Sequence, residues 1–129
     1  MFQKSLVRRT GLSVAAGIIA TAVSMPIAAV AGESPKAAEI TAAVSNHSYQ
    51  GSMSKPGSVF SEYYAPDGAI KAEGYSGKWR ATDGAMCFQY GDSPERCFDV
   101  TIDGPSMVMY KEGKIDGNGM LVPGNPNGF

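Results

Sequence analysis

Two cysteines, Cys87 and Cys97, lie in the stretch from Gly74 to Ile102, which also holds the single tryptophan of the chain, Trp79. This stretch is dense in residues that favour β-strands. We predict a strand around Trp79, a turn at Asp83-Gly84, and then a β-hairpin whose two arms are joined by a disulfide bond. The alternative for the cysteines is a pair of free thiols.

The alternation of side chains supports the disulfide. Because strand side chains point to alternate faces, pairing Cys87 with Cys97 places Met86 opposite Phe98. The apolar residues of both arms then share one face: Met86, Phe88, Tyr90, Phe98, Val100 and Ile102. A register slip of one residue would break both agreements. A bridge closing so short a loop stabilises by about 3 kcal/mol in the chain-entropy model, and the cysteine spacing excludes a CxxC redox or zinc site.

Residues 1–31 have the features of a secretory signal peptide. These features are the basic residues Lys4, Arg8 and Arg9, the apolar run Leu12–Ala22, and the small residues Ala29-Val30-Ala31. We predict cleavage between Ala31 and Gly32. The alternative is an uncleaved membrane anchor, for which the apolar run is too short. The adjacent arginines leave a twin-arginine route open, but we favour the general secretory route.

Cleavage would leave one small domain at residues 32–122 and a flexible, glycine-rich tail at residues 123–129. The mature chain would keep 8 basic and 12 acidic residues, a formal charge of 8 − 12 = −4. Without a basic patch, neither nucleic acid nor an anionic membrane is an expected partner. An exported chain with a disulfide is expected in the periplasm or outside the cell.

One helix is predicted before the strands. Ser34 can cap it, Pro35 suits its first turn, and the alanine-rich segment 37–44 favours helix. Ile40 and Val44 lie four residues apart and would face the sheet.

Turn signals at Asp67, Asp83, Asp92, Asp103 and Glu112 recur every 9 to 16 residues, which is typical of consecutive antiparallel strands. The predicted fold is therefore mainly β (α+β), a meander or partial barrel of about five to seven strands with one N-terminal helix. Either the helix covers the sheet or the sheet curls on itself. We interpret three glycine-containing segments as irregular or as turns: 51–57, 76–77 and 116–119.

The candidates for chemistry are few. His47 is the single histidine, and the carboxylates, including Glu62 and Glu73, are scattered and mostly in turns. The run Asp116–Gly119 lacks the alternating ligands of a calcium loop. We therefore assign no catalytic, cofactor-binding or metal-binding residue. The following aromatic residues could line a pocket, although core packing is the more common role: Tyr63, Tyr64, Tyr75, Trp79, Phe88, Tyr90, Phe98 and Tyr110.

Taken together, these elements resemble a family of small exported bacterial proteins catalogued only as a domain of unknown function. The resemblance spans residues 37–110 and is carried by a short helix ending near His47–Gly51, then Tyr64-Ala-Pro-Asp-Gly68, Gly77-Lys-Trp79, Cys87-Phe and Cys97-Phe-Asp-Val100. It implies a secreted β-rich domain with a disulfide, but it does not point to any activity and offers no catalytic residue to transfer.

Three functions follow as hypotheses. The first is a non-enzymatic envelope protein that binds a small molecule, a glycan or another protein. The second is an inhibitor of a hydrolase such as lysozyme, acting through the loop Gly91–Arg96. The third is a small hydrolase that uses Glu62, Glu73 or His47. A concave apolar pocket with converging polar groups would favour the first, and no cofactor is expected for any of them.

Overall fold

The computed structural model describes residues 33–129 and contains one helix and eight strands. These elements are α1 (Ala37–Val44), β1 (His47–Met53), β2 (Val59–Tyr64), β3 (Ala69–Ala72), β4 (Tyr75–Thr82), β5 (Ala85–Tyr90), β6 (Arg96–Asp103), β7 (Ser106–Lys111) and β8 (Lys114–Pro123). The predicted signal peptide and its cleavage between Ala31 and Gly32 lie outside the described residues. Within residues 33–129, no helix is long and apolar enough to cross a membrane.

Each strand pairs antiparallel with the next, and β8 returns to pair with β1, which closes the sheet into a barrel. The register of the closing pair runs from His47 opposite Pro123 to Met53 opposite Gly117. The prediction of a mainly β fold with one N-terminal helix is confirmed. The prediction of five to seven strands in a partial barrel is corrected to eight in a closed one. Closure pairs both strands that would otherwise be sheet edges.

The prediction of irregular segments or turns at residues 51–57 and 116–119 is wrong at 51–53 and 116–119, because these residues lie in the closing strands. Gly51 lies in β1, and Gly117 and Gly119 lie in β8. A Cβ at Gly51 would overlap the carbonyl oxygen of Asn118, and one at Gly119 would overlap that of Gln50. These glycines therefore mark a close approach of two strand backbones rather than a break in either strand.

The turn predicted at Ser76-Gly77 is also wrong, because both residues lie inside β4. The chain turns earlier, at Gly74, which has a φ of 79°. A Cβ at Gly77 would stand 2.6 Å from the carbonyl oxygen of Gln89 and 2.8 Å from the ring of Tyr90. Gly77 is needed for packing, and its lack of a side chain leaves room for that ring.

Helix α1 packs against β1, β4 and β5 with Ile40 and Val44 fully buried, as predicted. Its N-cap is Lys36 rather than Ser34. The Lys36 amide donates to the carboxylate of Glu39 at 2.7 Å, and the Ala37 amide donates to Asp83 at 3.0 Å. Asp83 belongs to the β4–β5 turn, so this turn fixes the start of the helix on the barrel.

The barrel has two different ends. We call the one that carries α1 and the turns at residues 65–68, 83–84 and 104–105 the helix end. The other, with the turns at residues 54–58, 73–74, 91–95 and 112–113, is the open end.

The predicted tail, residues 123–129, begins inside β8. Its following residues are hydrogen-bonded to the barrel: Ser48 donates to the Gly124 carbonyl, and Asn127 donates to Ser61, both at 2.8 Å.

The hairpin has the predicted register, with Cys87 opposite Cys97 and Met86 opposite Phe98. The two cysteines form a disulfide. Cys87 is buried and Cys97 is exposed. The bond indicates an oxidising compartment outside the cytosol.

Trp79 is buried, with 8% of its surface exposed. Its indole nitrogen donates to the Ala65 carbonyl at 3.0 Å, and its ring meets that of Tyr64 edge to face at 6.0 Å between centroids. Lys78 and Arg80 on either side are both exposed. Trp79 is thus a buried core residue, as predicted, and it lies near the helix end.

Candidate functional site

A cavity of about 580 Å³ occupies the open end of the barrel. Its wall is mostly apolar and aromatic, and the residues that line it are Met53, Phe60, Glu62, Tyr64, Tyr75, Phe88, Tyr90, Ser93, Pro94, Arg96, Phe98 and Met109. Ser93 and Pro94 lie in the exposed β5–β6 connection, Arg96 is the exposed first residue of β6, and all three form part of the rim. The cavity is therefore reached from the end opposite α1.

Glu62 is the buried charged residue of this cavity, with 6% of its surface exposed. It alternates along β2 with Phe60 and Tyr64, so all three side chains share the inner face of the barrel. The register places Glu62 opposite Tyr49, which is fully buried. A carboxylate at such a position needs hydrogen-bond donors, since burying an unpaired charge is costly.

Three tyrosine hydroxyls supply those donors. Tyr64 donates to Glu62 Oε2 at 2.9 Å, and Tyr75 donates to Oε1 at 2.8 Å. Tyr90 lies between the two oxygens, at 2.9 Å from Oε1 and 3.1 Å from Oε2. We call Glu62 with these three tyrosines the carboxylate–tyrosine cluster.

Ring contacts and the missing side chain of Gly77 position the cluster residues of β4 and β5. Tyr75 of β4 meets Tyr90 of β5 edge to face at 5.9 Å between centroids, and Phe88 stacks beside Tyr90 at 6.5 Å. Gly77 pairs directly with Tyr90 and leaves the space that its ring occupies. The cluster is thus assembled from β2 and from the consecutive strands β4 and β5, which follow β2 after β3.

The electrostatics of the cluster keep the tyrosines protonated. Burial, and then the negative charge of Glu62, raise the pKa of Tyr64, Tyr75 and Tyr90 well above the usual range. Within residues 33–129 the one ion pair joins Arg80 and Glu95 on the outer surface, at 2.6 Å. The Glu62 carboxylate is therefore compensated by neutral hydrogen-bond donors and not by a cationic side chain of the described residues.

The other predicted candidates do not join this site. His47 begins β1 at the helix end, where its Nδ1 lies 2.9 Å from the Ser45 carbonyl oxygen. Glu73 is exposed in the β3–β4 turn at the open end. Glu62, Glu73 and His47 therefore do not converge.

Only some of the aromatic residues that were candidates for a pocket line the cavity. Tyr64, Tyr75, Phe88, Tyr90 and Phe98 line the cavity. Tyr63 instead donates to Asn46 at 2.8 Å. One signal for the site is present in the sequence: the alternation of Phe60, Glu62 and Tyr64 places a carboxylate on the apolar face of a strand.

The Gly91–Arg96 loop lies beside the cavity and is exposed throughout. Arg80 donates to both carboxylate oxygens of Glu95, at 2.9 and 2.6 Å, and this hydrogen bonding lowers the pKa of Glu95. The Glu95 carboxylate lies within 4.8 Å of both cysteine sulfurs. Since these sulfurs are bonded to each other, they are not thiolate ligands, and the group is not a metal site.

No family model, curated protein or solved structure matches this chain. The resemblance to a family of exported proteins therefore stays a prediction.

Proposed function

We propose that this is a non-enzymatic exported protein that binds a small, largely apolar molecule in the open end of its barrel. The observation that carries the proposal is the cavity of about 580 Å³, with aromatic walls and the carboxylate–tyrosine cluster inside it. Ligand cavities typically measure about 300 to 1,000 Å³ and combine an apolar wall with a few converging polar groups.

The hydrogen bonding of the cluster supports binding over catalysis. A general base needs free access to the proton that it removes. Both oxygens of Glu62 already accept hydrogen bonds, and the donors are three tyrosines whose raised pKa opposes their acting as nucleophiles. These features fit a fixed recognition group. The disulfide supports a location in the periplasm or outside the cell.

A larger side chain at the rim tests the proposal, because it narrows the mouth of the cavity and leaves the core residues of the barrel unchanged. Ser93 is exposed at the rim and lines the cavity, whereas its neighbour Asp92 is exposed and does not line it. We expect the mature protein to bind an apolar naphthalene-type fluorescent probe. Ser93→Trp should weaken this binding about tenfold or more, and Asp92→Trp should leave it unchanged; a tenfold change corresponds to about 1.4 kcal/mol.

Fluorescence titration measures the affinity, and circular dichroism checks that both variants fold. Equal binding by wild type and Ser93→Trp would place the probe elsewhere, and the absence of any binding by the wild type would contradict the proposed function. Native mass spectrometry of protein purified from its own envelope would then give the mass of the natural ligand.

A second candidate function is inhibition of a hydrolase such as lysozyme. The Gly91–Arg96 loop favours it, because this loop is exposed along its whole length and is held by both the disulfide and the Arg80–Glu95 pair. Inhibition of lysozyme that is lost in Arg96→Ala, but kept when the exposed Lys71 of β3 is changed to Ala, would support this function over the first.

A further inference from the structure

The carboxylate–tyrosine cluster has a charge imbalance that bears on the identity of the ligand. Glu62 is buried, and among residues 33–129 no cationic side chain lies within ion-pair distance of it. Hydrogen bonds from neutral hydroxyls spread the negative charge but do not cancel it. The inner part of the cavity around Glu62 therefore holds a buried negative charge that no cation offsets, which favours a positively charged ligand there.

Hydrogen-bond directions narrow the choice further. A phenol has one O–H to donate, and each of the three tyrosines uses it toward Glu62. These hydroxyls have no second proton for a ligand, but they keep lone pairs that can accept one. The polar end of the ligand must therefore be a hydrogen-bond donor, such as an N–H group.

The walls favour the same kind of ligand. Phe88 stacks beside Tyr90 with an angle of 13° between the rings, and Phe98 lies 5.9 Å from Phe88. Aromatic faces carry a partial negative charge and attract ammonium groups in their vicinity. An ammonium at Glu62 would thus meet the carboxylate, the hydroxyl oxygens and the aromatic rings, all of which favour a cation.

Arg96 is the one cationic side chain among the residues that line the cavity, and it is exposed at the rim. It disfavours a positive charge near the mouth and so favours an orientation in which the charged head lies deep. The apolar body of the ligand would then fill the space between the cluster and the rim.

We propose, on the basis of the function proposed above, that the ligand is an organic amine with an apolar body, whose ammonium group binds Glu62 and the tyrosine hydroxyl oxygens. A neutral alcohol would lose the charge interaction, and a carboxylic acid would be repelled by Glu62. The alternative role of the cluster is purely structural, in which case the charge of a ligand would not affect its binding.

Three probes with the same phenyl body separate these roles: phenethylamine, phenethyl alcohol and phenylpropionate. Calorimetric titration of the mature wild-type protein should show that the amine binds about tenfold more tightly than the alcohol. This is the difference in affinity that one charge-assisted hydrogen bond contributes. Phenylpropionate should bind more weakly than either. This comparison needs no variant, so it decides the proposal even if a cluster variant does not fold.

Two variants then locate the effect. Glu62→Gln keeps the size of the side chain and removes its charge, while Glu73→Gln makes the same change at an exposed position of the open end. We expect Glu62→Gln to reduce the preference for the amine by about tenfold and Glu73→Gln to preserve it. Circular dichroism verifies that each variant folds.

The outcomes distinguish the two proposals. If the alcohol or the acid binds as tightly as the amine, or if folded Glu62→Gln keeps the amine preference, the inference about the amine is overturned and binding in the cavity stands. If neither the phenyl probes nor the naphthalene-type probe binds the wild type, the proposed function itself fails.

Discussion

Gly51 of β1 lies so close to Asn118 of β8 that a Cβ on Gly51 would overlap the carbonyl oxygen of Asn118. We therefore expect Gly51→Ala to force the closing strands apart and to lower the free energy of unfolding by about 1 to 3 kcal/mol. Urea denaturation measures the change. Ser52→Ala, at the next position of the same strand, is the control and should be nearly neutral. A fully stable Gly51→Ala protein would contradict the close approach.

Removing the disulfide should destabilise the β5–β6 hairpin. Cys87 and Cys97 are 10 residues apart in sequence, and a bridge of this kind stabilises by about 2 to 4 kcal/mol. The double variant Cys87→Ala with Cys97→Ala should show this loss in urea denaturation. Adding a reductant should destabilise the wild type and leave the double variant unchanged; equal stability of the two proteins without reductant would refute the prediction.

Trp79 gives a direct optical test of the core, because it is the single tryptophan of the chain. Since 8% of its surface is exposed, its emission should be blue-shifted and poorly quenched by iodide. Trp79→Ala should lower the free energy of unfolding by about 3 to 5 kcal/mol. Trp79→Phe keeps an aromatic ring but loses the donor to Ala65, so it should cost less. Red-shifted, readily quenched emission from the native protein would place Trp79 at the surface instead.

Stability should fall in alkaline solution. Burial, followed by the charge of Glu62, raises the pKa of Tyr64, Tyr75 and Tyr90 in the folded state above the value of about 10 that they have when unfolded. Above about pH 10 the unfolded chain therefore loses protons that the folded chain retains, and the free energy of unfolding decreases as pH rises. Below about pH 10 this contribution is fully present.

Two measurements check the alkaline prediction. Tyrosinate absorbance of the folded protein should rise by less than that of the protein in denaturant at the same pH. Urea denaturation should show a steeper loss of stability for the wild type than for Tyr75→Phe, which has one fewer such group. Identical tyrosinate titrations of folded and denatured protein would contradict the burial of the cluster.

The disulfide hairpin could be predicted from the sequence because two independent constraints agreed. Pairing Cys87 with Cys97 also aligned Met86 with Phe98, and a single register satisfied both. Helix α1 was predicted for a similar reason, since alanine-rich composition and the spacing of Ile40 and Val44 gave the same answer. The contacts at the start of the helix could not be predicted, because one of them comes from Asp83, in a turn far away in sequence.

The closure of the barrel could not be predicted from local preferences. Glycine weakens the interior of a strand and is common in turns, so the sequence predicts breaks at Gly51, Gly117 and Gly119. In the structure the absence of a side chain lets β1 and β8 approach at Gly51 and Gly119, and at Gly117 it leaves room for the side chains of Met53 and Met109. The same reasoning misplaced a turn at Gly77, whose missing side chain makes room for Tyr90.

The carboxylate–tyrosine cluster was missed because it is assembled across the barrel. Glu62 was identified as a candidate, but its partners Tyr75 and Tyr90 lie 13 and 28 residues further along the chain. The pairing of β2, β3, β4 and β5 in one curved sheet brings these side chains together. No spacing in the sequence encodes that contact.

The position of α1 determines how the protein can be attached to a surface. The Pro35 carbonyl accepts a hydrogen bond of 2.7 Å from Gly84, so the chain enters the barrel at the helix end, away from the cavity mouth. Coupling the mature protein to a sensor chip through its N-terminal side therefore leaves the rim facing the solution. Association and dissociation rates recorded in that orientation would match those of the free protein, whereas coupling through Lys55 in the β1–β2 turn would place the chip against the mouth.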